Sequence, residues 1–192
     1  DSAMSNLTGS DLAEDIVLGA DQNIDGGDNS LYGFRRYFGF GGTGYCVVDV
    51  TSYGAGTGLL NDKSTIQEAI DDLPSTGGII FFPPGSYLLE GSVWLAGTSQ
   101  DKSNVVLVGS GPSTSIITTG TCDNVPQIMM GKSNGLSEGM QVLNMRFDGS
   151  STTDGYHAGI SLNGSKNARV IGCHFEDIEG SGIHALGSIG AM

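Results

Sequence analysis

Proline, cysteine and basic residues are scarce in this 192-residue chain, which has 5, 3 and 8 of them respectively. So few prolines, with no Gly-X-Y period, exclude a collagen-like rod. The cysteines, Cys46, Cys122 and Cys173, are far apart, odd in number and in no Cys-x-x-Cys pattern. Neither a disulfide framework nor a zinc site is expected; they read as small buried apolar residues. Against 21 acidic residues the few cations leave a net charge of −13. A surface this negative repels nucleic-acid phosphates and anionic membranes, so neither is an expected partner. No apolar run approaches the roughly 20 residues that span a bilayer, and no basic-then-apolar signal segment opens the sequence.

Glycine is abundant instead: 32 residues, one in six, against about 7% in average usage. That level lowers helix propensity nearly everywhere. Apolar residues make up 38%, enough for a core and against general disorder. The composition predicts an all-β fold with many tight corners.

Residues 1–45 form a first block, read as an extended N-terminal arm or attachment segment. Its first 30 residues carry seven acids (Asp1, Asp11, Glu14, Asp15, Asp21, Asp25, Asp28) and no Lys or Arg. An aromatic stretch follows, Leu31-Tyr-Gly-Phe-Arg-Arg-Tyr-Phe-Gly-Phe40, too apolar for a free linker. After Cys46–Val50, a strand, Gly54, Gly56 and Gly58 form a glycine loop. Its G-x-G-x-G spacing, with Leu59 to Asn61 intervening, does not fit a dinucleotide fingerprint. A helix is predicted over about 62–73. Asp62 or Ser64 is its N-cap, Ser64-Thr-Ile-Gln67 fits a capping box, and Ile66, Ala69, Ile70 and Leu73 make one apolar stripe. Pro74 stops it.

From residue 104 short β-branched runs alternate with glycine-rich corners. Val142-Leu-Asn-Met-Arg-Phe-Asp-Gly149 aligns with Val170-Ile-Gly-Cys-His-Phe-Glu-Asp177 at an offset of 28, and Gly159-Ile-Ser-Leu162 with Gly182-Ile-His-Ala185 at an offset of 23. Offsets in the twenties with short strands predict a solenoid whose coils stack about 4.8 Å apart. The repeat is still in progress at Ile183-His-Ala185, so 46–192 is expected to be the N-terminal part of a β-helix domain in a longer protein.

Three segments carry a family resemblance: Asp49-Val-Thr-Ser-Tyr-Gly-Ala55, Ser64-Thr-Ile-Gln-Glu-Ala-Ile-Asp71 and Gly77-Gly-Ile-Ile-Phe-Phe-Pro-Pro-Gly-Ser-Tyr87. Together they resemble the opening segment of the pectate-lyase-like superfamily. The resemblance implies a right-handed parallel β-helix, a short capping α-helix at its N-terminal end, and acidic or complex polysaccharide as substrate. Gly58-Leu-Leu-Asn-Asp-Lys-Ser64 departs from the Asp-Gly-x-x-Asp-Asp-Thr run frequent before that helix. The superfamily holds lyases, hydrolases, epimerases and virion tailspikes, so it fixes no reaction.

Alternation along a strand places Leu143, Met145 and Phe147 inward and Asn144, Arg146 and Asp148 outward. In the matched strand Ile171, Cys173 and Phe175 point inward and Gly172, His174 and Glu176 outward. Stacking at offset 28 sets Arg146 beside His174 and Asp148 beside Glu176. Paired carboxylates are the equipment of glycoside hydrolysis, and a like charge beside a carboxyl group favours its acid form. A lyase would need a base and a cation, which Arg146 supplies. Asp148, Glu176, His174 and Arg146 are therefore the catalytic candidates, although the same residues also fit an exposed charge ladder without catalytic use. Tyr156 and His157, in a corner loop, are the substrate-binding candidates, Tyr156 by stacking on a sugar ring. Glu176, Asp177 and Glu179 lack the glycine spacing of a calcium loop, so no metal and no cofactor are expected.

Two functions fit. The first is a virion appendage, tailspike- or fibre-like, at the virion surface. It would be a homotrimer, with residues 1–45 attached to other virion proteins and the β-helix recognising or degrading host polysaccharide. The second is a secreted, extracellular polysaccharide lyase, hydrolase or epimerase.

Overall fold

The computed structural model describes residues 46–58, 61–98, 101–111, 115–119, 125–131, 137–149 and 158–186. The expected arm, Cys122, Tyr156 and His157 lie outside them. The chain divides into two units, Asp1–Phe34 and Arg35–Met192, and the second holds everything described below.

The strands follow one another around a coil and then repeat. A lead-in strand β1 (Val47–Asp49) precedes the helix α1 (Lys63–Asp71). The first coil is β2 (Gly78–Phe82), β3 (Gly85–Leu89) and β4 (Val93–Trp94). The second is β5 (Val105–Gly109), β6 (Ser115–Thr119), β7 (Ile128–Met129) and the short β8 (Ser137–Glu138). The third is β9 (Gln141–Leu143), β10 (Arg146–Asp148), β11 (Ala158–Ser161) and β12 (Ser165–Lys166). The fourth is β13 (Arg169–Ile171), β14 (His174–Glu176) and β15 (Ser181–His184). Corresponding strands pair in three parallel sheets, ordered β1-β2-β5-β9-β13, β3-β6-β10-β14 and β4-β7-β11-β15, with β8 and β12 making a small fourth. This is a parallel β-helix.

The register turns like residues into columns. Val48, Ile80, Leu107 and Val142 are buried one above another in the first sheet. Val93, Ile128 and Ile160 do the same in the third. Each such side chain contributes about 1.5–3 kcal/mol when fully buried. No single coil could enclose them. Ile183, partner of Ile160, continues the third column into the last described coil. Cys46 and Cys173 pack against the core but are half-buried rather than buried as expected, and burial pushes both thiols above their ordinary range.

Two sequence readings are corrected. The runs 142–147 and 170–175 are not single strands. Asn144 (φ 52°) and Gly172 (φ 65°) adopt the left-handed conformation and turn the chain between sheets. The alternation restarts at each corner, so Val142 and Val170 face the core while Leu143 is half-exposed and Ile171 is 54% exposed. The two corners stack so closely that a Cβ on Gly172 would collide with Asn144 Oδ1. Asparagine tolerates the left-handed region through its short polar side chain; glycine leaves room for the side chain of the coil beside it.

The capping box does not form either. Asp62 occupies the N-cap position without a side-chain cap bond, and Asn61 Oδ1 accepts from Lys63 N at 3.0 Å. Asp62 is buried instead, accepting from Gly56 N at 3.1 Å and Leu88 N at 3.0 Å. Gln67, outside the apolar stripe, is also buried because its amide meets the outer edge of β4: Nε2 donates to Trp94 O at 3.0 Å and Oε1 accepts from Trp94 N at 2.8 Å. Asp71 Oδ1 accepts from Thr98 N at 2.9 Å. Polar side chains of α1 and its N-cap thus make the hydrogen bonds that a neighbouring strand would otherwise supply. The stripe of Ile66, Ala69, Ile70 and Leu73 is buried as predicted.

Candidate functional site

The middle sheet brings four sequence candidates together. β10 and β14 pair in parallel with Arg146 opposite His174, Phe147 opposite Phe175 and Asp148 opposite Glu176. Phe147 faces the core, fully buried, so alternation turns Arg146 and Asp148 outward on one coil and His174 and Glu176 outward on the next. The offset of 28 sets this register, as the sequence alignment requires.

Arg146 sits at the centre. Its Nη2 pairs directly with Glu176 Oε2 and lies 3.4 Å from Asp148 Oδ2. His174 Nε2 stands 3.8 Å from the same Glu176 oxygen. The side chains of Arg146 and Asp148 are 27% and 17% exposed, those of His174 and Glu176 59% and 42%. The inner pair is therefore sheltered by the scaffold while the outer pair meets solvent. One guanidinium nitrogen thus bridges the two carboxyl groups from adjacent coils. A cation between them offsets the like-charge repulsion on which the sequence argument for an acid relied.

One neighbour has no signal in the sequence. Gln127 comes from the corner before β7, is buried, and donates from Nε2 to Asp148 O at 3.4 Å. Its Oε1 and the Nε of Arg146 are both buried without a hydrogen-bond partner among the described residues. Among those residues no group of three His, Cys, Asp or Glu side chains is disposed to hold a metal ion. No helix among them is long and apolar enough to cross a membrane.

The family model described as rhamnogalacturonase A/epimerase, pectate lyase-like, matches residues 47–189. Among curated proteins none matches. Among solved structures, ORF18 of Geobacillus virus E2 superposes with a TM-score of 0.55 at 26% identity, over 67% of this chain and 25% of that one. The A-module of the Azotobacter vinelandii mannuronan C-5 epimerase AlgE6 does so with a TM-score of 0.55 at 22% identity, over 71% of this chain and 39% of its own. The Streptococcus pneumoniae surface adhesin PfbA follows with 0.51 at 21%, over 76% and 39%. The chain thus spans between a quarter and two fifths of the length of these structures.

Proposed function

The chain belongs to the rhamnogalacturonase A/epimerase, pectate-lyase-like family, and we propose that it is a virion appendage protein whose β-helix contacts host polysaccharide through the outward face of β10 and β14. The observation that carries the contact face is the quartet of Arg146, Asp148, Glu176 and His174, set on two adjacent coils by one register. Ion pairs and carboxylates on a rigid sheet offer donors and acceptors at fixed spacing to a chain of sugar hydroxyls. The virion setting draws its support from the similarity to the phage ORF18 protein. In this reading the solenoid is right-handed, as parallel crossovers are, and α1 caps its first coil. Residues 1–45 attach to other virion proteins, and three copies assemble. Light scattering of the purified full-length protein tests the assembly: a trimer is expected, and a clean monomer removes the appendage reading.

The family match favours a second reading, a secreted polysaccharide lyase, hydrolase or epimerase using the same quartet. Incubation with polysaccharides, followed by reducing-end, unsaturated-product and epimer analysis, distinguishes the three reactions. An active protein that keeps full activity in the Asp148→Ala, Glu176→Ala double variant would exclude this pair as the catalytic groups.

A further inference from the structure

We infer that the outward face of the sheet β1-β2-β5-β9-β13 is where copies of this chain meet, an inference that rests on the assembly of copies in the reading above. In β5, Val105, Leu107 and Gly109 are buried while Val106 and Val108 are half-buried. Alternation turns those two valines away from the core. Register carries the outward pair from coil to coil: Ile79 and Phe81 stand before Val106 and Val108, and Gln141 and Leu143 stand after them. All six are half-buried, so the outside of this sheet is an apolar ridge. The five strands span about 19 Å along the stack at 4.8 Å per step. The middle sheet is different, turning out Arg146 and Asp148 on β10 and His174 and Glu176 on β14. A contiguous apolar strip of this kind on a polar molecule marks a contact surface.

Charge and spacing point to a second copy as its occupant. The chain carries −13, so two copies repel wherever their acidic surfaces meet. The five strands of this sheet hold two charged residues, Asp49 at one end and Arg169 at the other. Asp49 Oδ1 already accepts from Thr51 N at 2.9 Å and from Thr51 Oγ1 at 2.7 Å. Contact centred on Val106 and Val108 therefore brings no like charges together, and it has the apolar centre and polar margin of a protein interface. The ridge repeats once per coil. A second copy lying alongside with its coils parallel presents the same repeat, so the two sets of side chains keep step along the whole strip. Around an axis parallel to the stack, the row of Val106 in one copy meets the row of Val108 in the next, which closes a ring.

The test is light scattering of the full-length protein over a dilution series, for the wild type and for Val108→Glu, Val108→Thr and Ser86→Glu. Val108→Glu sets an unpaired carboxylate in the middle of the contact and should weaken association at least about tenfold. Val108→Thr keeps the β-branched shape that suits a strand; it gives a smaller loss in the same direction and guards against misfolding of the first variant. Ser86→Glu adds the same charge at an exposed position on β3 and should assemble like the wild type. Added salt should strengthen wild-type association, because it screens the repulsion between acidic copies and leaves the apolar contact in place. An assembled wild type whose association survives unchanged in both Val108 variants, or falls as far in Ser86→Glu, or weakens with salt, overturns the inference while leaving the assembly standing. A wild type that thermal melts show to be folded, yet is monomeric at every concentration, overturns the assembly itself and this inference with it.

Discussion

The rings of Phe147 and Phe175 lie stacked on successive coils, centroids 5.3 Å apart and planes inclined by 15°. Parallel register forces this: residues paired across β10 and β14 sit one strand spacing apart, so like rings superpose. Phe147 is fully buried, whereas Phe175 is only half-buried. Replacing Phe147 by Ala should therefore cost about 3–5 kcal/mol. Phe175→Ala should cost distinctly less, because part of its ring already meets water. Urea titrations of the two variants decide the order, and equal costs would show that burial does not govern the difference.

Gln67 carries a second prediction. Gln67→Met keeps the volume and the apolar packing but leaves Trp94 N without its acceptor and removes one of the two donors to Trp94 O, which keeps Gly97 N. A loss of about 1 kcal/mol or more is expected for stranding the backbone donor. The local signature is sharper than the global one: amide exchange at Trp94 should accelerate while exchange at Leu107, deep in the neighbouring sheet, follows the global change alone. Unaltered exchange at Trp94 would refute the role of Gln67 as a strand substitute.

Lys102 sets a pH dependence. It is buried, with Nζ donating to Leu73 O. Burial pushes its ammonium below the ordinary value of 10.5, and Asp71 pulls in the opposite direction. Between the lowered value and 10.5 the unfolded chain holds a proton that the folded chain has released. Stability from this group therefore rises with pH across that window. Lys102→Met should flatten that rise, whatever its offset in absolute stability. Denaturation midpoints measured from neutral pH up to about 10.5 provide the check, and an unchanged slope would count against it.

The corner pair Asn144 and Gly172 gives a fourth. Gly172→Ala places a Cβ at φ 65° and against Asn144 Oδ1, so a loss of at least about 1–2 kcal/mol is expected from the left-handed backbone alone. Adding Asn144→Gly removes the steric part and should recover some of that loss. A double-mutant cycle measures the coupling, expected between about 0.5 and 3 kcal/mol for residues in contact. Strict additivity would mean the two corners do not touch in solution.

Much of the scaffold is legible in the residues. Offsets of 28 and 23 appear as the pairings of Arg146 with His174 and of Ser161 with His184, because parallel stacking preserves sequence spacing between coils. The apolar stripe of α1 is equally plain. The corners within 142–147 and 170–175 are not, since one left-handed residue, Asn144 in the first and Gly172 in the second, falls where the alternation expects an outward side chain and so leaves its pattern outwardly unchanged. Neither is the burial of Asp62 and Gln67, whose partners, Leu88 and Trp94, lie about 26 and 27 residues away. Local propensity assigns such residues to the helix end, and a distant strand edge takes them instead. Of the candidate site, the register placed Arg146, Asp148, His174 and Glu176 together. What spacing could not reveal is that Arg146 would close on both carboxylates, nor that Gln127 would reach the backbone of Asp148 from another corner.

The parallel pairing also has a mechanical meaning. In every sheet the hydrogen bonds run from coil to coil, along the long axis of the stack. Tension applied along that axis opens the bonds of one coil interface at a time, so the molecule peels in small steps. Tension across the axis loads all the bonds of a strand pair in shear at once and meets much greater resistance. Among the described coils, a sideways load along the strands is therefore better resisted than a pull from one coil to the next.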